Sequence, residues 1–456
     1  MVWESVLSSS LLARLLLFSS GLALGVSASG VARASGFDLF GVHPEGMAEA
    51  SARTAAAEDG SACFYNPGGL SLGKGYRVDL SANGVASWLD VQGERVGIDE
   101  PFGGTLTVAA DVPFEGPLEN RVRVGLAMYG LADRMMRLSV RSPSTPFFPY
   151  YDNRSQRLVV IPALSVRVAK GVGLGVGVNA LAGVQGPIDV REGQSRTLES
   201  RVVQEAGTVA RWIVGVRFDP SDVVRIGVAF RQSFGVPLSI ATTADVAGVP
   251  LSVDVSAAEA LFDPATVVLG ARFAPIDAAA FELDVAYHRW SAWDGPLLGI
   301  DTTVSALSLS SKPSERMFRD SVSVRSAAAW TVDRDVARET TLQVGAGYET
   351  SMLDDTVRQG RTNLVDGPKV ILGAGVSVRF AEAVGRGLRV GLGVQLHHVA
   401  QFRQDKVACT QVPCPAGTVV GPDTAYPSAD IDDPGYPTLA GGGQVLAGAV
   451  GVGVDL

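Results

Sequence analysis

Apolar residues alternate with small or polar residues along most of this 456-residue chain, and this alternation restricts the possible folds. In residues 172–178, VGLGVGV, the valines and the leucine fall on one face and the three glycines on the other. Residues 369–380 and 387–398 show the same period of two. Such a period is typical of β-strands, because a helix repeats every 3.6 residues instead.

We count about fourteen such segments of roughly nine to fourteen residues, the length that a tilted strand needs to cross a bilayer. They begin near residues 76, 103, 120, 157, 172, 208, 223, 264, 279, 319, 339, 369, 387 and 444. Short turns, such as 169–171 and 219–222, alternate with long polar links. These links fall at 131–156, 185–207, 241–263, 292–318 and 401–443. The pattern predicts an all-β fold, a transmembrane antiparallel β-barrel of about 14 strands over residues 76–456.

Many positions predicted to face the barrel interior are glycines, which leaves room for another segment inside. Residues 35–75 precede the first predicted strand and do not alternate. They contain an alanine-rich, helix-prone stretch in which Pro44 suits a first helical turn. We therefore predict that residues 35–75 form an N-terminal helical hatch, or plug, within the barrel.

The first 34 residues predict an exported protein. Arg14, an apolar stretch and the sequence Ala32-Arg33-Ala34 follow the order of a secretory signal peptide with its cleavage site. The alternative is a single anchoring helix, which the serines and the cleavage site disfavour. The net charge of −9 argues against a nucleic-acid partner, which requires a basic face. We expect a multi-pass protein of the outer membrane of a Gram-negative bacterium.

Residues 62–75, ACFYNPGGLSLGKG, come close to a phosphate-binding loop. Gly75, however, stands where that loop needs the serine or threonine that holds Mg²⁺, and a strand rather than a helix follows. We interpret these glycines as a turn into the first strand.

Catalytic and cofactor signals are weak elsewhere in the sequence. The histidines, His43, His288, His397 and His398, lack ligand spacing, and no nucleophile–base pair is placed by a motif. We expect no cofactor, no metal and no enzymatic activity. In an oxidising compartment Cys409 and Cys414 favour a loop disulfide over a metal pair, and Cys63 is expected to be a small buried residue.

The amino-terminal region resembles a known family. Gly36-Phe37, the sequence Glu58-Asp59-Gly60 and the pair Asn66-Pro67 resemble the mature start of outer-membrane long-chain fatty acid and aromatic hydrocarbon transporters. Residues 283–295 and 345–355 are similar to later parts of that family. The chain departs from it at Gly68, where alanine is common. It also ends in Leu456, where many outer-membrane barrels have an aromatic residue.

The resemblance implies a fourteen-stranded barrel that transports long-chain fatty acids or similar hydrophobic molecules by passive diffusion. An aromatic hydrocarbon transporter and a general porin are the alternatives. The resemblance assigns the hatch and its gating to Gly36, Phe37, Glu58, Asp59, Asn66, Pro67 and Gly68. It also implies a lateral exit at a kinked strand, for which Pro101, Gly103 and Gly104 are candidates, although an ordinary strand end would explain them equally. Expected partners are the substrate, outer-membrane lipid, lipopolysaccharide and the barrel-assembly machinery, and we expect a monomer.

Several side chains are candidates for contact with a ligand. The basic candidates are Arg191, Arg325, Arg379 and Arg389, which could hold a carboxylate head group. Inward-facing arginines, including Arg123 and Arg225, could instead pair with hatch acids such as Glu45, Glu49, Glu58 and Asp59. Trp290 and Trp293 are candidates for ligand contact, but an interfacial aromatic girdle is the main alternative. The aromatic residues of 146–151, PFFPYY, suit either a docking groove or loop packing.

Overall fold

The computed structural model describes residues 37–96, 102–131, 146–152, 158–185, 188–192, 198–202, 205–246, 249–295, 298–302, 318–335, 337–353, 364–381, 387–405 and 438–456. In these parts of the chain, strands dominate and the helices are short. None of the described helices is long and apolar enough to cross a membrane.

The described strands are numbered in chain order. They are β1 (Arg77–Val91), β2 (Glu94–Arg95), β3 (Gly103–Asp111), β4 (Val122–Leu131), β5 (Val159–Ala169), β6 (Val172–Gln185), β7 (Ile188–Glu192), β8 (Leu198–Val202), β9 (Glu205–Phe218), β10 (Val224–Arg231), β11 (Phe234–Val246), β12 (Val249–Asp263), β13 (Ala265–Ile276), β14 (Ala279–Arg289), β15 (Leu298–Thr302), β16 (Ser321–Arg334), β17 (Arg338–Glu349), β18 (Lys369–Phe380), β19 (Gly387–Asp405) and β20 (Thr438–Asp455).

Fourteen of these strands form one closed antiparallel barrel, which confirms the predicted fold class. The barrel contains all of them except β2, β7, β8, β11, β12 and β15. It closes because β1 pairs with β3 on one side and with the last strand, β20, on the other. Thirteen of the fourteen predicted strand starts lie within three residues of the observed ones, and β20 begins six residues earlier than predicted.

Three of the long links contain strands that the sequence did not predict. β15, β12, β11, β7 and β8 form a second, five-stranded sheet in that order. β11 follows β10 after two residues and β12 ends just before β13, so this hairpin continues the β10–β13 pair beyond the barrel. The prediction of polar links at 185–207, 241–263 and 292–318 was therefore wrong for the strand residues within them.

The two faces of the barrel wall differ as the alternation predicts. Val176 and Leu174 point outward from β6, whereas the three glycines between 172 and 178 point inward. Three tryptophans on the outer surface are each at least half exposed: Trp88, Trp212 and Trp330. Exposed apolar side chains around the whole barrel are consistent with contact with lipid.

The hatch consists of short helices joined by turns. They are α1 (Phe37–Phe40), α2 (His43–Ala48), α3 (Ala62–Tyr65) and the 3₁₀ turn Pro67–Leu72. α2 has Pro44 in its first turn, and the positive φ angles of Ala50 (48°) and Ser51 (64°) bend the chain after the helix. The helical character predicted for this segment is confirmed.

Inward-facing glycines of the barrel strands lie where the hatch touches the wall. At each of these positions an added Cβ atom would overlap a hatch atom: Gly173, Gly175, Gly215, Gly227, Gly345, Gly373 and Gly393. The obstructing atoms come from Pro44 at one end of the hatch to Gly68 near the other. The glycines therefore leave the space that the hatch backbone occupies.

Replacing an inward glycine should push the hatch away from the wall. At Gly393 a Cβ would overlap the main chain of Pro44, whereas at the outward-facing Gly84 nothing lies within 4 Å. We expect Gly393→Ala to reduce the free energy of unfolding by about 1–3 kcal/mol, the usual cost of overpacking. Gly84→Ala should leave it unchanged. Urea unfolding followed by heat-modifiable gel mobility measures both, and equal stabilities would contradict the close fit.

Candidate functional site

Charged side chains dominate the interior at the end of the barrel where the short turns lie. Within four residues of that end of their strands lie Arg77, Asp79, Asp111, Arg123, Arg217, Arg225, Arg272, Glu282 and Arg389. Most of them are largely buried, and they surround the hatch rather than an open pore. This end of the interior is therefore both charged and filled.

Two neighbouring hatch acids attach the hatch to this charged end. Glu58 accepts hydrogen bonds from Arg217 (2.7 Å) and Arg225 (2.8 Å). Asp59 lies 3.4 Å from Arg77. Burial raises the pKa of Asp59, but the nearby Arg77 and Arg53 lower it by more. The net shift is therefore downward, and the carboxylate stays ionised.

Further contacts link wall arginines to the hatch. The Arg123 guanidinium donates to the main-chain oxygens of Glu58 (3.0 Å) and Leu70 (2.9 Å). Arg389 lies 4.0 Å from Glu45. Together with the Arg225–Glu58 pair, these contacts favour the interpretation that inward arginines hold the hatch.

The Asn66-Pro67-Gly68 turn is a junction between hatch and wall. The Asn66 side chain donates to the main-chain oxygens of Thr54 and Val216, both at 3.0 Å, and accepts from the Gly68 amide at 3.1 Å. Pro67 begins the 3₁₀ turn, and Gly68 packs against the main chain of β6 and β9. This turn therefore holds the hatch against the wall and does not form a phosphate-binding loop.

The opposite end of the interior is aromatic. We define the aromatic cluster as Phe40, Phe148, Tyr150, Tyr151, Phe262, Trp290, Trp293 and Phe318, all buried. The Trp293 ring stacks on Phe318 at 4.3 Å between centroids and on Phe262 at 5.7 Å. Phe40 belongs to hatch helix α1, while the other members come from the wall and its links, so the cluster joins the hatch to the long-link end.

The cluster changes two interpretations of the sequence. Trp290 and Trp293 are only 1% and 3% exposed, so the girdle interpretation was wrong for both. The residues of 146–151 pack within the cluster, where Pro149–Asp152 forms helix α4, rather than presenting an exposed groove. Trp290 has the same parity as the inward-facing Asp284 and His288 of β14, so the alternation already contained the signal for its position.

Buried cations beside the aromatic cluster are paired with carboxylates. Lys369 lies 2.8 Å from Asp366, and its ammonium is 3.9 Å from the centre of the Tyr150 ring. Arg325 lies 3.3 Å from Glu349, which also accepts a 3.0 Å hydrogen bond from the Tyr150 hydroxyl. A ligand carboxylate would have to compete with these internal partners.

A polar connection that the sequence did not reveal runs from the cluster to the hatch. The Tyr151 hydroxyl lies 3.2 Å from His397 Nδ1, and His397 Nε2 lies 2.7 Å from the Gln395 amide. With its amide oriented to satisfy its neighbours, Gln395 donates to the main-chain oxygens of Phe40 and Met47. Gln395 and His397 lie on the inward face of β19. The sequence predicted polar residues on this face but did not indicate a role for them.

The remaining candidates are dispersed. Arg379 is half-exposed and lies 3.1 Å from Asp455, at the short-turn end of the wall. The main chain of Arg191 pairs with that of Glu199 between β7 and β8. Phe37 begins α1. Cys63 is buried and forms no disulfide. Gly36, Pro101, Cys409 and Cys414 lie outside the described residues.

The pairing register of β1 changes near Gly103 and Gly104, two of the kink candidates. Asp90 of β1 pairs with Arg95 and Asn83 with Gly103, so seven residue steps along β1 correspond to eight along its partner. Gly103 and Gly104 begin β3, and the Tyr129 ring covers Gly103 so closely that a Cβ would overlap it.

The described residues contain no group of three or more His, Cys, Asp or Glu side chains that could hold a metal ion.

Residues 25–409 match the model of a family described as outer membrane protein transport protein (OMPP1/FadL/TodX). The chain belongs to this family. Its members are outer-membrane transport proteins, and the closed barrel described above agrees with that location.

Solved structures share the same fold. A Pseudomonas aeruginosa FadL homologue is 13% identical, with 94% of this chain and 100% of that chain covered and a TM-score of 0.57. The P. putida toluene transporter TodX is 14% identical, with 92% and 99% covered and a TM-score of 0.55. The Ralstonia pickettii toluene transporter TbuX is 15% identical, with 92% and 100% covered and a TM-score of 0.52. No curated protein matches the chain by sequence.

The Asn66 junction should contribute strongly to hatch attachment. Asn66→Ala removes three hydrogen bonds and leaves the Thr54 and Val216 oxygens without this donor. We expect the free energy that holds the hatch in place to fall by about 2–4 kcal/mol, because each buried polar group left unsatisfied costs roughly 1–3 kcal/mol. Ser221→Ala, which removes one exposed hydrogen bond to Val224, is the control and should cost little. Protease accessibility of the hatch measures the effect, and equal cleavage of both variants would contradict it.

Proposed function

We propose that this protein carries hydrophobic molecules across the outer membrane by passive diffusion, gated by the hatch and without cofactor or energy coupling. The observation that supports this most is the division of the interior into an aromatic cluster at the long-link end and a charged, hatch-filled end at the short turns. The rings are packed against one another, so a hydrophobic molecule that separates them would gain about 0.8 kcal/mol for each methylene buried among them. A general porin would gain nothing from such an apolar core.

The same division favours a lateral exit. A hydrophobic molecule that left through the charged end would displace buried ion pairs such as Arg217–Glu58 and would lose its apolar surroundings. Leaving sideways through the wall takes it directly into lipid. The change of register between β1 and its partner, next to Gly103 and Gly104, is the place in the wall that best supports such an exit.

Two substrate classes are consistent with the interior. The family resemblance favours long-chain fatty acids. The pairing of Lys369 with Asp366 and of Arg325 with Glu349 favours an uncharged substrate such as an aromatic hydrocarbon, because both cations already have buried partners. Structural relatives include two toluene transporters and a monoaromatic hydrocarbon channel, which agrees with this second candidate.

Uptake of both substrate classes tests the proposal. Cells that lack their own channel for hydrophobic molecules would express the wild type, Trp293→Ala or Trp330→Ala, and accumulation of radiolabelled oleate and toluene would be measured. We expect wild type to restore uptake of at least one. Trp293→Ala should reduce it roughly fivefold, since one aromatic pair contributes about 0.5–1.5 kcal/mol beyond its burial.

Trp330→Ala is the matched control, because Trp330 is 56% exposed on the outer surface of the wall. It should leave uptake unchanged. Restoration of toluene uptake alone would favour the aromatic substrate, and restoration of oleate uptake would show that a carboxylate is accepted. If correctly folded wild type restored neither, the proposed function would be wrong for these substrates.

The exit is tested by bulk added to the outer face of the wall. Gly104→Phe places a ring beside the change of register, while Gly448→Phe places one on β20, and both positions have room for a side chain. We expect Gly104→Phe to slow uptake at least severalfold and Gly448→Phe to have no effect. Equal uptake by the two variants would rule out an exit beside Gly104.

A further inference from the structure

The turn after α2 brings a hatch acid against two acids of the barrel wall. Glu49, Glu282 and Asp284 are only 3%, 6% and 4% exposed. Glu49 lies 2.5 Å from Arg53 and Glu282 lies 2.6 Å from Arg272, while Asp284 accepts a 3.0 Å hydrogen bond from the Thr54 amide. We call these three acids and two arginines the hatch–wall cluster.

The hatch–wall cluster contains more acids than bases. Three carboxyl groups face two guanidinium groups, and the nearby Arg325 pairs with Glu349. Glu282 Oε2 and Asp284 Oδ1 are buried and have no hydrogen-bond partner among the described residues. A third ionised carboxylate here would be a buried charge without a counter-ion, which is strongly unfavourable.

We propose that the hatch–wall cluster binds one proton, shared between Glu49 and the two wall acids, and that this proton holds the hatch against the barrel wall. The proton removes the excess negative charge. Loss of the proton leaves three ionised carboxyl groups beside two arginines, and moving the hatch out of the wall exposes Glu49 to water and relieves the repulsion. The site therefore couples hatch displacement to pH.

The environment of Glu49 accounts for this coupling. The pKa of Glu49 is raised to about 7, mainly by burial and to a smaller extent by Glu282, while Arg53 and Arg272 act in the opposite direction. The titratable and charged groups around it come from the hatch and from four wall strands. They are Glu45, Arg53 and Tyr65 from the hatch, and Arg272, Glu282, Asp284, Arg325 and Glu349 from β13, β14, β16 and β17.

The direction of the pH dependence follows from the raised pKa. When the hatch is displaced, Glu49 returns to its ordinary value near 4.5, so the closed hatch binds the proton more tightly than the displaced one. Closure is therefore fully stabilised below about pH 4.5 and loses that stabilisation as the pH rises through 7. The pKa values of Glu45 and Asp59 are lowered, so these acids act in the opposite direction and at more acidic pH.

Cys63 provides a reporter of hatch displacement. It is buried in α3, facing Gly125 of β4. With Cys409 and Cys414 replaced by serine, it is the single remaining thiol of the chain. We would measure its alkylation by a maleimide in the full-length folded barrel from pH 5 to pH 8, and divide each rate by that of the urea-unfolded chain at the same pH. This division cancels the ionisation of the thiol.

We expect the normalised rate to rise by up to about tenfold per pH unit between pH 5 and 7 and then to level off. Glu49→Gln should give a low rate with little pH dependence. Glu282→Gln, which removes one acid from the cluster, should shift the rise to lower pH. Glu339→Gln is the control and should preserve the rise, because Glu339 pairs with the exposed Arg334 at a short turn, away from the hatch and the cluster.

A flat profile of wild type would overturn the proposal, and so would an unchanged rise in Glu49→Gln. Heat-modifiable gel mobility establishes that each variant is folded, and the wild-type profile alone remains decisive if Glu49→Gln does not fold. Because alkylation requires no substrate, this result is independent of whether the protein transports oleate, toluene or another molecule.

Discussion

The structure depends on one constraint: in a bilayer every main-chain polar group of the wall must find its partner within the wall. Fourteen antiparallel strands meet this requirement by closing β1 against β20 along its whole length. A barrel of eight strands can be filled by its own side chains, whereas larger barrels leave internal space. The hatch fills that space here, and the inward glycines allow its main chain to approach the wall.

The hatch is held by polar and ionic contacts, and the other end of the interior is lined by aromatic rings. Glu58, Asp59 and Asn66 use wall groups that are spread over β1, β9 and β10. Such contacts are directional, so they fix the hatch in one position. The aromatic cluster makes less directional contacts, between rings that are buried against one another.

The sequence predicted the barrel well because each wall strand has one face toward lipid and one toward the interior. The start of β20 was missed because Gly441, Gly442 and Gly443 give no apolar alternation, although they belong to the strand. The second sheet was missed for two reasons. β7, β8 and β15 have only five residues each, and β11 and β12 extend the β10–β13 pair beyond the length expected of a membrane-crossing strand.

Side-chain partners were harder to predict than strands. Arg225 and Arg389 were expected to face inward, but the hatch acid that each approaches depends on contacts between distant parts of the chain. Trp290 follows the inward parity of β14, whereas Trp293 follows a 3₁₀ turn, after which the alternation gives no direction. The hatch–wall cluster was not anticipated, because Glu49, Arg272 and Asp284 come together only when the barrel closes around the hatch.

The position of the hatch also has a consequence for how the molecule assembles. Asn66 contacts a strand 150 residues later, Thr54 one 230 residues later, and the Phe40 main chain one 355 residues later. A segment enclosed by strands on all sides cannot easily enter a wall that has already closed. The amino-terminal hatch must therefore wait for the last strand, and the final pairing of β1 with β20 both closes the wall and encloses the hatch. Seam closure and hatch docking are thus expected to be a single late step of biogenesis.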